Sequence, residues 1–123
     1  MSTRRPRKQR GKGNLADYLK ECLLALLGEV ELFLSDERNW CHDALALDFM
    51  DHKVSWDDST AIRWNVVGAV FHVGLNYNGM LTLQALGEIG EVAYVLKKQY
   101  LWNIPHDVAL ECMRVVRKNM KDS

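Results

Sequence analysis

The chain of 123 residues has few of the residues and runs that mark several protein classes. Two prolines and eight glycines are too few for a collagen-like or low-complexity chain. The three cysteines, Cys22, Cys41 and Cys112, are an odd number and include no Cys-x-x-Cys pair for zinc or redox chemistry. A reducing, cytoplasmic compartment is the simplest interpretation of that pattern.

Long apolar runs are also missing. The longest stretch without a strongly polar side chain in the first predicted helix, residues 22–28, is far shorter than the roughly 20 residues that cross a bilayer. The basic N-terminus has no apolar signal core behind it, so the sequence predicts neither membrane insertion nor secretion. The signatures G-x-x-x-x-G-K-[ST], G-x-G-x-x-G and H-E-x-x-H do not occur. We therefore expect no cofactor and no metal.

The charges, in contrast, are plentiful and unevenly distributed. Residues 1–13 carry six basic side chains and no acidic one, whereas residues 14–123 carry ten basic and sixteen acidic side chains. The N-terminal segment has no large apolar residue except Met1, so it cannot bury apolar surface and is predicted to be a disordered basic tail. With 48% apolar residues overall, residues 14–123 suffice for one folded domain.

The basic tail is the first candidate functional segment. Its cations could neutralise several phosphates of a nucleic acid and release counterions. No aromatic residue lies between them, so the tail itself is not expected to stack on bases. A solvated tail, or one folded against the acidic body, is the alternative interpretation. The predicted nucleic-acid-binding residues are Arg4, Arg5, Arg7, Lys8, Arg10 and Lys12.

The spacing of apolar residues predicts a mainly α fold. Apolar side chains recur at three- and four-residue steps in four segments, which is typical of amphipathic helices. Between the first and second segments, apolar and polar residues alternate, which favours a small β-hairpin inserted after the first helix. The predicted helices cover residues 14–34, 59–74, 80–100 and 105–120, and the hairpin lies within residues 40–56.

Four small residues on the predicted helices indicate close packing. Gly68 and Ala69 suit the approach of another helix, while Gly87 and Gly90 indicate tight packing or a local break. The sequence leaves open whether these faces pack within one molecule or between two copies. The oligomeric state is therefore undecided, and a homo-oligomer is one possibility.

Three short motifs stand out along the chain. They are Trp40 with Asp43-Ala44-Leu45-Ala46-Leu47-Asp48, then Ala61-x-Arg63-Trp64 with Gly68-Ala69, and then Trp102-Asn103. This pattern resembles a family of small bacterial and phage proteins recorded only as a domain of unknown function. Its motifs are W-x-x-G-A-L-A-x-D, A-x-R-W-C-x-x-G-A-L and W-N-D before a final helix.

The resemblance extends over residues 15–120 and implies the same fold and boundaries. The chain departs from the family pattern at Asp43, where the family has Gly, at Asn65, where it has Cys, and at Ile104, where it has Asp. The basic tail is not part of the pattern. The family has no activity that could be carried over, so the resemblance implies nothing about chemistry.

Four tryptophans in a small chain form the second candidate. Trp buries a large area and needs a partner for its indole N–H, so these residues are typical of an aromatic core cluster. Alternatively, they line a ligand pocket or a partner surface between the hairpin and the last helix, where exposed aromatics and an arginine would suit a binding hot spot. The predicted ligand- or partner-binding residues are Trp40, Trp56, Arg63, Trp64, Trp102 and Asn103.

Cys41 and His42 form the third candidate, as a thiol nucleophile with a base. Chain neighbours usually point apart, and no third orienting group is evident. His42, Asp48, Asp51 and His52 could ligate a metal, but their spacing matches no known signature.

Taken together, these candidates lead us to interpret the chain as a non-enzymatic interaction protein with a protein partner. The alternatives are a small-ligand binder for a nucleotide or metabolite and a thiol or hydrolytic enzyme. An inhibitor or regulator of a host system would suit a phage or bacterial origin.

Overall fold

The computed structural model describes the backbone of residues 4–122 and the side chains of residues 15–122. Within that range the fold is mainly α, with a small antiparallel sheet between the first and second helices, as predicted. The helices are α1 (Arg4–Ser35), α2 (Val66–Gly74), α3 (Gly79–Lys97) and α4 (His106–Asp122). The strands are β1 (Ala46–Leu47), β2 (Lys53–Val54) and β3 (Arg63–Trp64).

Helix α1 packs against α2, α3 and α4, and its most extensive contact is with α4. Its buried side chains recur every three or four residues, as expected for a helix with one apolar face. They are Leu23, Leu26, Leu27, Val30 and Leu34. None of the helices in the part of the chain that the structure describes combines the length and the apolar character of a membrane span.

The start of α1 differs from the expected start at Asn14, because the helix is already formed at Arg4. Arg, Lys and Gln have high helix propensity, so the backbone of the basic segment can extend the helix beyond the apolar stripe. The side chains of residues 1–14 lie outside the described part of the chain. The proposed division into a basic tail, residues 1–13, and a folded domain, residues 14–123, falls partly on these side chains and stays a prediction.

The sheet contains the predicted hairpin and one strand more. Its strand order is β2-β1-β3, and Ala46 of β1 pairs with Val54 on one side and with Trp64 on the other. The third strand was missed because residues 59–74 were assigned to one helix. Since β3 pairs with β1, it cannot be part of that helix.

Helix α2 consequently begins at Val66 rather than at residue 59. The side chain of Asn65 caps its N-terminus by accepting a hydrogen bond of 2.8 Å from the Gly68 amide. The Asp58 carboxylate does not cap this helix and accepts hydrogen bonds from the Thr60 amide and hydroxyl in a separate turn. The chain can therefore enter β3 before α2 begins.

Helices α3 and α4 agree with prediction to within a few residues. Asn78 caps α3, and Lys98 ends it in the left-handed conformation at φ 55°. The helix is continuous through Gly87 and Gly90, so neither glycine marks a break. A Cβ on Gly90 would lie 3.6 Å from Leu101, an ordinary contact, whereas one on Gly87 would meet nothing within 4 Å. Of these two glycines, therefore, Gly90 faces the molecule and Gly87 faces solvent.

Candidate functional site: aromatic junction and hairpin tip

Trp64 is the centre of an aromatic cluster where the sheet meets α1 and α2. Its ring stacks on His72 of α2 with centroids 4.3 Å apart, and it contacts Phe33 of α1 at 5.2 Å. Its indole N–H donates a 2.9 Å hydrogen bond to the Trp56 carbonyl, so the polar atom of this buried side chain is satisfied. Trp64 is thus a core residue that holds the sheet on the helices.

Trp56 lies at the edge of the same cluster. Its ring stacks on Phe71 of α2 at 5.3 Å and is half-buried. Trp56 and Phe71 line one side of an open groove of about 250 Å³, and Leu75 and Tyr77 line the remainder together with Thr82. Of the residues predicted to form a pocket, Trp56 is the one that lines this groove.

Trp40 links the sheet to the start of the last helix. Its backbone forms a parallel bridge with Trp64, and its ring lies 4.9 Å from that of His106, the first residue of α4. The His106 Nε2 atom is 2.5 Å from the carbonyl oxygen of Leu34, near the end of α1. Trp40 is half-buried, and these contacts place it where β3, the end of α1 and the start of α4 meet.

Trp102 and Asn103 occupy the short 3-10 turn Leu101–Asn103, and both are exposed. The Asn103 carbonyl lies 3.4 Å from the His42 ring, which places this turn beside the segment that follows Trp40. Among the described residues, no indole ring contacts another, but Trp40 and Trp56 pack against the hydrophobic core that contains Trp64, and Trp102 does not. The tertiary structure therefore brings Trp40, Trp56 and Trp64 together and leaves Trp102 apart.

Arg63 forms an ion pair with a residue of the turn between β1 and β2. Its guanidinium pairs with the carboxylate of Asp51, across the sheet from its own strand. Because β3 runs beside β1, residue 63 is carried to the hairpin turn that follows β1. The pair ties that turn to the sheet.

Cys41 and His42 do not face each other. Cys41 is 5% exposed, its thiol is 3.5 Å from the Ala44 carbonyl, and burial raises its pKa to about 11. His42 contacts Asp43 and the Asn103 carbonyl instead. A buried thiol with a raised pKa holds little thiolate near neutral pH, and thiolate is the reactive form. This geometry argues against the thiol-enzyme alternative.

The metal hypothesis has a similar outcome. Asp48 and His52 are paired at 3.2 Å, whereas Asp51 pairs with Arg63. Over the described residues, no group of three His, Cys, Asp or Glu side chains is placed to hold a metal ion. Asp48 has a structural role, since its carboxylate accepts hydrogen bonds from the Met50 and His52 amides.

The turn held by Asp48 carries a feature that was not predicted from the sequence. The turn between β1 and β2 directs Phe49 and Met50 outward, and these side chains are 77% and 62% exposed. Ile62 is also exposed and lies next to the turn, because its amide donates to the Leu47 carbonyl. We call Phe49, Met50 and Ile62 the hairpin tip. Its sequence signal is a pair of large apolar residues enclosed by aspartates, which is unusual in a turn.

The turn that carries the tip is held by several interactions. The Asp48 amide donates to the His52 carbonyl, and the Asp51 amide donates to the Asp48 carbonyl, both at 3.0 Å. Asp51 adopts φ 64°, a left-handed conformation that Asp tolerates better than most residues. Hydrogen bonds to the Asp48 carboxylate keep its pKa below the ordinary value. The largest contribution comes from the bond that the His52 amide donates. The tip is thus apolar, exposed and well ordered.

The six predicted nucleic-acid-binding side chains fall on residues 4–12, outside the part of the chain whose side chains are described. That prediction is untested by the contacts above. No protein-family model matches the chain, and neither do the curated proteins or the solved structures with which it was compared.

Proposed function

We propose that this chain is a non-enzymatic interaction protein that binds a protein partner through the hairpin tip. The observation that carries the proposal is the ordered turn around Asp48, which presents Phe49 and Met50 to solvent. Covering a Phe or Met side chain contributes about 1.5–3 kcal/mol to association. Because the turn is ordered before binding, less of that free energy is lost to immobilising it.

A surface of this kind matches the usual composition of a binding hot spot, in which a few large side chains are surrounded by polar groups. Aromatic residues and Met are enriched at protein interfaces. The resemblance to small bacterial and phage proteins leads us to propose further that the role is that of a regulator or inhibitor in a bacterial cell. The same proposal retains the basic segment, residues 1–13, as an arm for nucleic acid.

Affinity capture from bacterial lysate tests the proposed role of the tip. The full chain is immobilised beside the double variant Phe49→Ser/Met50→Ser and beside Leu32→Ser. Leu32 is a matched control, since it is 75% exposed on α1 and lies beside Arg117 of α4. We expect a partner that binds the wild type and Leu32→Ser but not the double variant. A partner set that is the same for all three proteins would refute the role of the tip.

A salt titration tests the basic arm separately. Affinity for a DNA duplex and a single strand is measured between 50 and 300 mM salt, with and without residues 1–13. We expect the affinity to fall steeply with salt and to be lost with the segment, because phosphate contacts release counterions. Unchanged affinity after removal of the segment would eliminate the arm.

The groove beside Trp56 favours a second candidate function, the binding of a nucleotide or metabolite. It is about 250 Å³ in volume and its lining includes Trp56, Phe71 and Tyr77, which offer flat apolar faces to a small ring. Titration of nucleotides and metabolites, followed by tryptophan fluorescence, tests this function. A response that persists in Phe71→Ala would place the ligand elsewhere.

A further inference from the structure

The surroundings of the hairpin tip are rich in carboxylates. Residues 48–63 contain four aspartates, Asp48, Asp51, Asp57 and Asp58, against Lys53 and Arg63 as the basic residues. Asp51, Asp57 and Asp58 are exposed. The apolar tip is therefore bordered by polar groups of predominantly one sign.

The fold places these aspartates near one another, although they belong to two different turns. The turn after β2 returns the chain to the level of the tip, because the Ile62 amide donates to the Leu47 carbonyl just before β3 begins. The Ala61 amide donates a 3.0 Å hydrogen bond to the Asp58 carbonyl, in a turn that ends one residue before Ile62 of the hairpin tip. Asp58 therefore lies within one turn of a tip residue.

Part of this negative charge is compensated within the chain. Arg63 pairs with Asp51, and His52 lies 3.2 Å from Asp48. Asp57 accepts a 2.5 Å hydrogen bond from the neutral Ser55 hydroxyl, and Asp58 accepts one from Thr60. No Lys or Arg of the described residues lies within 4.0 Å of Asp57 or Asp58. These two carboxylates are the ones left for an external cation.

We infer that the partner of the hairpin tip is a protein surface with an apolar recess bordered by Lys or Arg side chains. This inference rests on the proposed function, and it names the chemistry of the partner. An acidic rim would repel the aspartates, and a neutral one would remove water from Asp57 and Asp58 without replacing it by a counter-charge. A cationic rim satisfies the carboxylates while the recess covers Phe49 and Met50.

The basic segment of the same molecule does not fit as the occupant. The sheet follows the C-terminal end of α1, since β3 contacts the turn Glu37–Asn39 directly after that helix. Asn14 lies on α1 about 30 Å before Ser35, at 1.5 Å per residue. Residues 1–13 also contain no large apolar side chain except Met1, so they offer nothing to cover Phe49.

A peptide selection identifies the preferred chemistry without knowledge of the natural partner. Random twelve-residue peptides displayed on phage are selected on the immobilised full chain at physiological salt, with counter-selection on Phe49→Ser/Met50→Ser. Enriched peptides are synthesised, and their affinities are measured for the wild type, for Asp57→Asn/Asp58→Asn and for Glu21→Gln/Glu91→Gln. The last variant removes the same number of negative charges as Asp57→Asn/Asp58→Asn, but at exposed sites on α1 and α3.

We expect enriched peptides to place Lys or Arg around aliphatic or aromatic residues. Loss of the tip should weaken them at least about tenfold, as for hot-spot residues. Asp57→Asn/Asp58→Asn should weaken them by a few-fold and reduce the salt dependence of binding, as for charges at an interface rim. Glu21→Gln/Glu91→Gln should leave the affinity unchanged, because those carboxylates are not at the tip.

The other outcomes are distinguishable. Tip-dependent peptides that are neutral or acidic, or that bind Asp57→Asn/Asp58→Asn unchanged, would overturn the inference and leave the proposed function intact. A selection without tip-dependent peptides would overturn both. A synthetic peptide of residues 1–13 that bound as tightly as the selected peptides would make a second copy of this chain the occupant. That result would contradict the inference that the partner has an apolar recess.

Discussion

The backbone of Gly68 lies directly against the carbonyl group of Leu45, so that a Cβ at position 68 would overlap the carbonyl oxygen. The same oxygen accepts a 3.3 Å hydrogen bond from the Asn65 amide. The first turn of α2 is therefore seated on the backbone just before β1. This contact sets how closely the sheet and the helices pack. The expectation that Gly68 approaches another helix is therefore wrong, because its neighbour is the backbone before β1 of its own chain.

Substitution of Gly68 by Ala tests that contact. Because the Cβ would meet backbone rather than a flexible side chain, we expect the free energy of unfolding to fall by about 3 kcal/mol, the upper range for overpacking. Urea denaturation of the purified variant measures the loss. A Gly68→Ala protein with wild-type stability would show that the two segments do not touch in solution.

Gly87 provides the opposite case on α3. It is exposed, and a Cβ there would meet nothing within 4 Å. Ala is preferred over Gly in a helix interior by about 1 kcal/mol, so we expect Gly87→Ala to raise the free energy of unfolding by about that amount. Denaturation under the same conditions as for Gly68→Ala gives the comparison. Destabilisation would mean that position 87 is covered, for example by another copy of the chain.

His72 should make stability depend on pH. Its ring is enclosed by Trp64 and Phe33, and burial lowers the pKa of this imidazole below its ordinary value of about 6.5. The unfolded chain therefore binds the proton more readily than the folded one, so stability rises with pH in this range. The contribution is complete above about pH 6.5 and is lost as the pH falls through the lower, folded pKa.

Urea midpoints measured between pH 8 and pH 5 check the role of His72. We expect the wild-type midpoint to decrease on acidification and the His72→Phe midpoint to decrease less, since Phe keeps the ring contacts and removes the titrating group. Equal slopes for the two proteins would assign the pH dependence to other residues.

Cys41 should be much less reactive than Cys22 under native conditions. It is buried, and burial raises its pKa to about 11, whereas Cys22 is only half-buried. We expect iodoacetamide at pH 8 to label Cys22 first and Cys41 only after unfolding, because alkylation requires accessible thiolate. Peptide mapping by mass spectrometry follows each site. Rapid native labelling of Cys41 would revive the thiol-enzyme alternative.

Phe49 and Trp64 should differ sharply in their effect on folding. Phe49 is largely exposed, so Phe49→Ser should change the free energy of unfolding by no more than about 0.5 kcal/mol. Trp64 is buried in the aromatic cluster, so Trp64→Ala should cost about 3–5 kcal/mol. Thermal or urea denaturation distinguishes them. Strong destabilisation by Phe49→Ser would indicate that the tip packs within the fold and is not free for a partner.

Much of the fold could be predicted from local patterns. Periodic apolar residues predicted α1, α3 and α4, and alternation predicted the hairpin around β1 and β2. Strand β3 could not be predicted in this way, because the apolar residues between 62 and 73 recur at helical spacing and residues 59–74 were assigned to one helix. Its assignment depends on pairing with β1, where Ala46 lies 18 residues before Trp64 and Leu47 lies 16 residues before Arg63.

The candidate site was predictable only in part. The sequence drew attention to the tryptophans because Trp is rare and large, and three of the four do share one cluster. It did not separate Trp102 from the other tryptophans, and it did not predict the pair of Arg63 with Asp51. Both facts depend on where the fold places two turns, Leu101–Asn103 and the turn between β1 and β2. The hairpin tip was missed because Phe49 fits an alternating strand pattern as well as it fits an exposed turn.

The amino-acid sequence by itself determined the helical class, the single hairpin and the contrast between a basic N-terminal segment and an acidic remainder, because each depends on neighbouring residues and on charge counts. Only the tertiary structure decided which glycines are buried, which tryptophans pack at the core and which apolar side chains stay in solvent. Those outcomes depend on contacts between residues far apart in the chain, and the periodicity of a segment contains no information about which other segment will cover it.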